Sequence, residues 1–212
     1  MNSFSFDVDN DYAKKHNELL KDTKRLQISA IIFALILLAI GYGLRLYFGG
    51  TMGNLIIGCF AVMALISFGL VFIIPRQVGD ASQLYSQYEL CPAIIAQVNS
   101  RDLTLLALVN INSDPTAPPR WGLATRTVTR IEGHERRKGE RVPAVAVTGR
   151  RSAHTQDKWD EISPMPIAWG TKDPVVVKAA QKAIPHDQWH KLEKNAAKLN
   201  DVLATRFNLL EL

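Results

Sequence analysis

Two long apolar runs set the pattern of this chain: ISAIIFALILLAIGYGLRLYF over 28–48 and NLIIGCFAVMALISFGLVFII over 54–74. Each is about 20 residues long, enough for an α-helix to cross the hydrocarbon core of a bilayer. Only GGTMG, residues 49–53, lies between them, so the two helices are expected to run antiparallel as a transmembrane hairpin over 28–75. A core helix of a soluble protein keeps a polar stripe, whereas the second run has no charged residue from Asn54 to Ile74. A signal peptide has an apolar core of roughly 7–15 residues and then a cleavage site; here a second span follows instead.

On either side the pattern is different. Residues 1–27 form an N-terminal segment that opens with Asp7, Asp9 and Asp11. From Asp11 to Gln27 the good helix formers predict a helix running into the first span, with Tyr12, His16, Leu19, Leu20 and Leu26 on a loose apolar face. Residues 76–90 read as a polar linker. The period then changes. The runs 92–99, 103–111, 120–131, 141–149 and 159–170 are rich in Val, Ile, Thr and Trp and are bounded by Asp, Asn, Pro and Gly. They predict a small, mainly antiparallel β domain over 91–170, curled like a barrel, with the Pro-rich loop 112–119 exposed. Residues 171–212 are expected to be helical. Asp173 is a natural N-cap with Pro174 in the first turn, giving a helix over 174–184 that Pro185 ends. A second helix over 187–204 places Trp189, Leu192, Ala196, Leu199 and Leu203 on one face. The expected class is an α+β membrane protein: a helical hairpin, a small β domain and C-terminal helices.

Charge orients this arrangement. Lys14, Lys15, Lys21, Lys24 and Arg25 precede the first span and Arg76 follows the second, while Arg45 alone lies near the connecting loop. The positive-inside rule then puts both termini in the cytoplasm of a multi-pass plasma-membrane protein. Tyr42, Tyr47 and Phe48 mark the outer interface. The net charge of +5 suits a neighbour of anionic lipid.

Little in the chain suggests catalysis. Cys59 and Cys91 lie at different depths and form no metal spacing. His186 and His190 are four apart, as two ligands of one metal can be, but the zincin motif is absent. A third ligand would have to be His134, His154 or a distant carboxylate, and the pair reads as surface histidines. Glu132, Glu135 and Glu140 share one turn and Asp157, Asp160 and Glu161 another. Ser152, His154 and Asp157 are neighbours in sequence, which is not how a triad is assembled. No phosphate-binding glycine loop and no nucleophile elbow is present. The expectation is a protein that is not an enzyme, with no catalytic, cofactor-binding or metal residue and no cofactor.

Two features suit contact instead. The turn HERRKGER, 134–141, carries Arg136, Arg137, Lys138 and Arg141. It fits anionic lipid or an acidic partner, or a solvated turn partly neutralised by Glu135 and Glu140. No aromatic residue interleaves with it, which argues against nucleic acid. In the first span Ala30 with Ala34 and Ala39 with Gly43 repeat small residues at four-residue spacing, which lets another helix approach. They serve either a docking face for a larger membrane partner or the packing of the two spans.

The strings GERVPAVAVTG (139–149) and ISPMPIAWGT (162–171), following a two-span hairpin, resemble a family of uncharacterised actinobacterial membrane proteins of corynebacteria and relatives. The resemblance covers most of residues 80–195 and brings no catalytic or cofactor residue with it. In size and span number the chain is also similar to a small accessory subunit of the corynebacterial respiratory supercomplex of cytochrome bc and cytochrome oxidase. The resemblance implies a non-enzymatic accessory subunit of a larger membrane complex engaged in electron transport, docking through its spans and cytoplasmic domain. The alternative is a free-standing membrane protein whose basic β domain binds anionic lipid or a soluble ligand.

Overall fold

The computed structural model describes residues 4–78, 81–114, 116–151 and 157–212, with residues 74–78 as backbone only. The chain divides into two compact units, Glu18–Asp80 and a unit assembled from both flanks, Met1–Asn17 with Ala81–Leu212.

The first unit is the hairpin. Helix α2 (Glu18–Phe48) and helix α3 (Gly50–Val78) are antiparallel and joined through Gly49. Both are long and apolar enough to span a membrane. The connection is tighter than the five-residue loop expected. Gly49 and Gly50 have φ of 59° and 50°, which glycine adopts without the Cβ penalty of other residues. The amide of Gly53 donates to the Gly49 carbonyl at 2.8 Å. A Cβ on Gly53 would meet the Arg45 carbonyl oxygen at 2.8 Å, so the helices touch as they leave the turn.

The helices meet along a seam whose spacing alternates between three and four. On α2 it is Gln27, Ala30, Ala34, Leu37 and Gly41; on α3 it is Phe60, Ala64, Ser67 and Val71. Ala34, Leu37 and Ala64 are buried together against Phe60. Two polar side chains close the seam: Ser67 Oγ donates to the Ala30 carbonyl at 3.1 Å, and Gln27 Nε2 donates to the Val71 carbonyl at 2.9 Å. In a medium without water such bonds spare the polar group an unsatisfied state. Elsewhere the helices turn large apolar groups outward, including Leu35, Leu46, Leu65 and Ile66.

The second unit is built on a six-stranded antiparallel sheet. Its strands are β1 (Leu90–Val98), β2 (Leu103–Asn110), β3 (Trp121–Val128), β4 (Arg141–Thr148), β5 (Ile162–Pro166) and β6 (Leu209–Glu211), in the order β5-β4-β1-β2-β3-β6. A register shift between Ile95 and Gln97 bulges β1 against β2 and bends the sheet. The sheet curls into a half-barrel, so that Arg126 of β3 donates to Ser163 Oγ of β5 at 3.1 Å although the two strands are not neighbours. Strands β1, β2 and β4 are almost wholly buried on both faces. One face is lined by Cys91, Ala93, Ala107, Ala124, Ala144 and Ala146.

Both flanks cover this sheet. Helix α1 (Asn10–His16) starts at Asp9, whose carboxylate accepts from the Tyr12 amide at 3.0 Å. The predicted helix over 11–27 is interrupted at Asn17. That residue is fully buried and extended, and its Nδ2 reaches Met165 Sδ at 3.1 Å. A contact 148 residues away overrides a local helical preference. Residues 4–17 thus belong to the sheet unit. Phe6 packs on Tyr85 of α4 (Ala81–Gln87) with ring centroids 5.1 Å apart, and the Asp9 amide donates to the Gly170 carbonyl at 3.0 Å. The expected linker 76–90 holds the end of α3 and α4.

At the other end Asp173 caps α5 (Pro174–Ala183) through the Val175 amide at 2.8 Å. Helix α6 (His186–Lys194) buries Trp189 and Leu192. The single helix expected over 187–204 is broken at Asn195, whose Nδ2 caps the Lys191 carbonyl at 2.9 Å; a 3-10 turn and α7 (Leu199–Leu203) follow. Strand β6 was not anticipated. Glu211 fixes it, receiving Arg120 Nε and, at 3.0 Å, Lys158 Nζ. The hydrogen bond from Arg120 chiefly, and then that from Lys158, hold the Glu211 carboxyl below its ordinary value of 4.5. A depressed folded pKa gives stability that is present above the unfolded value and is lost as pH falls through the folded one. Amide protection of Leu209–Glu211 is therefore expected to stay level above about pH 4.5 and to fall in more acid solution, with Glu211→Gln abolishing that dependence. Hydrogen exchange read as a function of pH checks both.

Candidate functional site

The basic turn lies between β3 and β4, where Gly133 and Gly139 adopt φ of 75° and 86°. Its backbone is tied to the sheet, since the Gly139 amide donates to the Ile95 carbonyl at 2.8 Å and the Ile95 amide to the Glu140 carbonyl at 3.0 Å. The four cations are treated differently. Arg136 donates to the Asn99 carbonyl at 2.9 Å. Arg137 lies 3.2 Å from Glu140 and 3.6 Å from Glu135. Arg141 holds Glu193 of α6 with contacts of 2.8 and 2.6 Å and lies over the Trp189 ring at 5.1 Å. Lys138 is exposed and has no polar partner among the described residues. Three of the four are thus engaged within the sheet unit. Arg141→Ala is expected to cost about 1 kcal/mol, the sum of a half-exposed ion pair and a cation–π contact, and Lys138→Gln nothing measurable. Thermal unfolding of the two variants separates them.

The small residues of the first span also divide. Ala30 and Ala34 lie on the seam with α3. Ala39 and Gly43 are exposed, and a Cβ built on Gly43 meets nothing within 4 Å. The four therefore do not make one face. The seam residues that the four-residue rule missed are Gln27, Leu37 and Gly41. A Cβ on Gly41 would lie 2.7 Å from Phe60 Cβ.

The other candidates fall apart as constellations. His186 and His190 start α6, His134 lies in the basic turn, and Ser152 and His154 lie outside the described residues. No group of three or more metal-ligating side chains occurs among the described residues. Glu132 joins Arg130 at 3.0 Å and His16 at 3.6 Å, tying α1 to the turn.

A family model matches residues 76–200 and is described as a protein of unknown function, DUF3239. The chain belongs to the DUF3239 family. A crystal structure described as that of "a putative membrane protein from Corynebacterium diphtheriae" is 57% identical, covers 58% of this chain and 100% of that chain, and superposes with a TM-score of 0.57. The hairpin unit is too short to supply a match of that extent, so the likeness extends into the sheet unit. No curated protein matches this chain.

Among the described residues of the DUF3239 sheet unit, Cys91 and Tyr85 depart furthest from their ordinary values, and burial is the main cause for both. Burial pushes the Cys91 thiol up, away from the reactive thiolate. Burial likewise raises Tyr85, whose hydroxyl donates to the Pro166 carbonyl at 2.9 Å. Two of its hollows are half open to solvent. One of about 250 Å³ is lined by Glu89, Cys91, Asn110, Trp121 and Gln188. Another of about 190 Å³ lies between the basic turn and α5 and mixes Glu132 and Glu140 with Arg141, Lys172 and Lys178.

Proposed function

We propose that this DUF3239 member is a non-enzymatic accessory subunit of a larger integral membrane complex, held in the plasma membrane by its hairpin with both termini cytoplasmic. The observation that carries the reading is how the hairpin spends its groups. Gln27 and Ser67 donate across the seam, and the closest approaches at Gly41 and Gly53 lie between α2 and α3. Its outer faces carry mainly large apolar side chains, and two helices alone enclose no pathway through a bilayer. Such a hairpin serves as an anchor and as a surface for other helices. Ala39 and Gly43, small and exposed on α2, leave room for a close approach. The non-enzymatic reading draws support from Tyr85 and Cys91, whose shifts come from burial in the core. The partner we infer is the actinobacterial respiratory supercomplex. Its support is the resemblance in size and span number to that assembly's small subunits, together with the corynebacterial source of the similar structure.

The test is gentle detergent extraction followed by a native gel, with haem staining and partner identification. Migration with a large haem-containing species is expected, weakened by Gly43→Leu. Migration of the unaltered protein as a small species would favour the free-standing lipid- or ligand-binding alternative.

A further inference from the structure

At the opposite end of β4 from the basic turn, Arg206 lines a hollow, and Arg150 and Arg151 lie over the rings of two of its wall residues. The hollow has a volume of about 200 Å³; its apolar wall is Ile111, Trp159, Phe207 and Leu209, and Lys158, Asp160, Thr205 and Glu211 complete the lining. Arg150 and Arg206 both lie over the Phe207 ring, at 5.4 and 5.0 Å, and Arg151 lies over Trp159 at 5.4 Å. All three arginines are exposed. Among the described residues none is paired with a carboxylate, and none of their guanidinium N–H groups has a protein acceptor. The neighbouring cations differ: Arg120 is committed to Glu211 and Asp157, and Lys158 to Glu211. An aromatic ring under a guanidinium holds it in place at little further entropic cost while its donors stay unused.

We propose that this hollow is a recognition site for the phosphate of an anionic phospholipid headgroup. The planar donors of arginine match phosphate oxygens two at a time. Asp160 also lines the hollow and Glu161 lies beside Gly149, so the local field is not strongly positive. Affinity must come from direct N–H···O contacts, which selects a compact phosphate over a diffuse polyanion. Its apolar wall residues suit the glycerol carbons next to such a phosphate. A lipid source is favoured over a free phosphate because the sheet unit is joined to the membrane hairpin at both Asn17–Glu18 and Asp80–Ala81, which gives bilayer headgroups a high effective concentration. The inference stands independently of the accessory-subunit reading.

The experiment uses the full chain in a neutral detergent, with tryptophan fluorescence followed during titration with short-chain phosphatidylglycerol. A saturable change is expected. It should be at least about tenfold weaker in the variant Arg150→Gln, Arg151→Gln, Arg206→Gln, since charge-assisted hydrogen bonds are lost. Lys138→Gln, which removes a charge elsewhere, should bind as the parent does, and Trp159→Phe should bind with much of the signal gone. Single Arg150→Gln and Arg151→Gln variants, checked by circular dichroism, carry the test if the triple variant misfolds. Equal binding by the parent and the arginine variants would overturn the site. Saturation by glycerol 3-phosphate without a response to phosphatidylglycerol would overturn the lipid source, and an equal response to phosphatidylcholine would overturn the anionic selectivity.

Discussion

Replacing Gly41 by leucine is expected to force the two spans apart. A Cβ at this position would come within 2.7 Å of Phe60 Cβ and 3.1 Å of Phe60 Cγ, and the clash involves the root of that side chain, which has no freedom to swing away. Overpacking of this kind costs about 1–3 kcal/mol in well-packed interiors. The seam has no hydrophobic drive to compensate, because lipid is as apolar as leucine. The hydrogen bonds of Ser67 to Ala30 and of Gln27 to Val71 would loosen with it. Gly43→Leu, two residues away, meets open space and should leave the hairpin within about 0.5 kcal/mol of the parent. Unfolding in detergent, read for both variants, distinguishes seam from outer face. If the two glycines proved equivalent, the helix rotation described here would be wrong.

The second large effect is expected at Tyr85. Its ring is 1% exposed. It stacks edge-on against Phe6 and donates to the Pro166 carbonyl. It also approaches Gly170 so closely that a Cβ there would lie 2.6 Å from its ring. Tyr85→Ala removes the group that joins the N-terminal segment, α4 and the end of β5, and should cost about 3–5 kcal/mol. Tyr85→Phe keeps the ring and leaves a buried carbonyl without its donor, at about 1–2 kcal/mol. Urea unfolding of the full chain measures both. In the alanine variant, exchange protection should fall in residues 4–17 as well as in the sheet. A loss confined to residues 81–212 would show that the first flank is not part of this domain.

The hairpin was legible from hydropathy because a bilayer demands it: twenty apolar residues have few other uses. Its rotation was harder to read. Ala30, Ala34 and Gly41 belong to an alternating three–four spacing, but Ala39 lies five residues beyond Ala34, which turns it about 140° around the helix. The four-residue rule joined two faces that the structure separates. The strands β1 to β5 follow from their β-branched runs and turn residues. Strand β6 is three residues long and exists because β3 and the Glu211 ion pairs hold it. The break at Asn17 is likewise set by Met165, far along the chain. The basic turn was legible as charge, but the engagement of Arg136 with Asn99 and of Arg141 with Glu193 and Trp189 depends on elements brought together only by folding. The grouping of Arg150 with Arg206 and Phe207 has the same origin: over fifty residues separate them in sequence, and β4 and the segment before β6 make them neighbours.

The hairpin is inserted between two flanks of one domain, and we propose that both flanks lie on the same side of the bilayer. Single cysteines at Asp11, Thr51 and Ser82, each in a Cys59→Ser, Cys91→Ala background, test it with an impermeant thiol reagent applied to intact cells. All three positions are exposed in the structure. Labelling of Thr51→Cys alone, with Asp11→Cys and Ser82→Cys reacting only after lysis, is the predicted result. Opposite behaviour of Asp11→Cys and Ser82→Cys would contradict it.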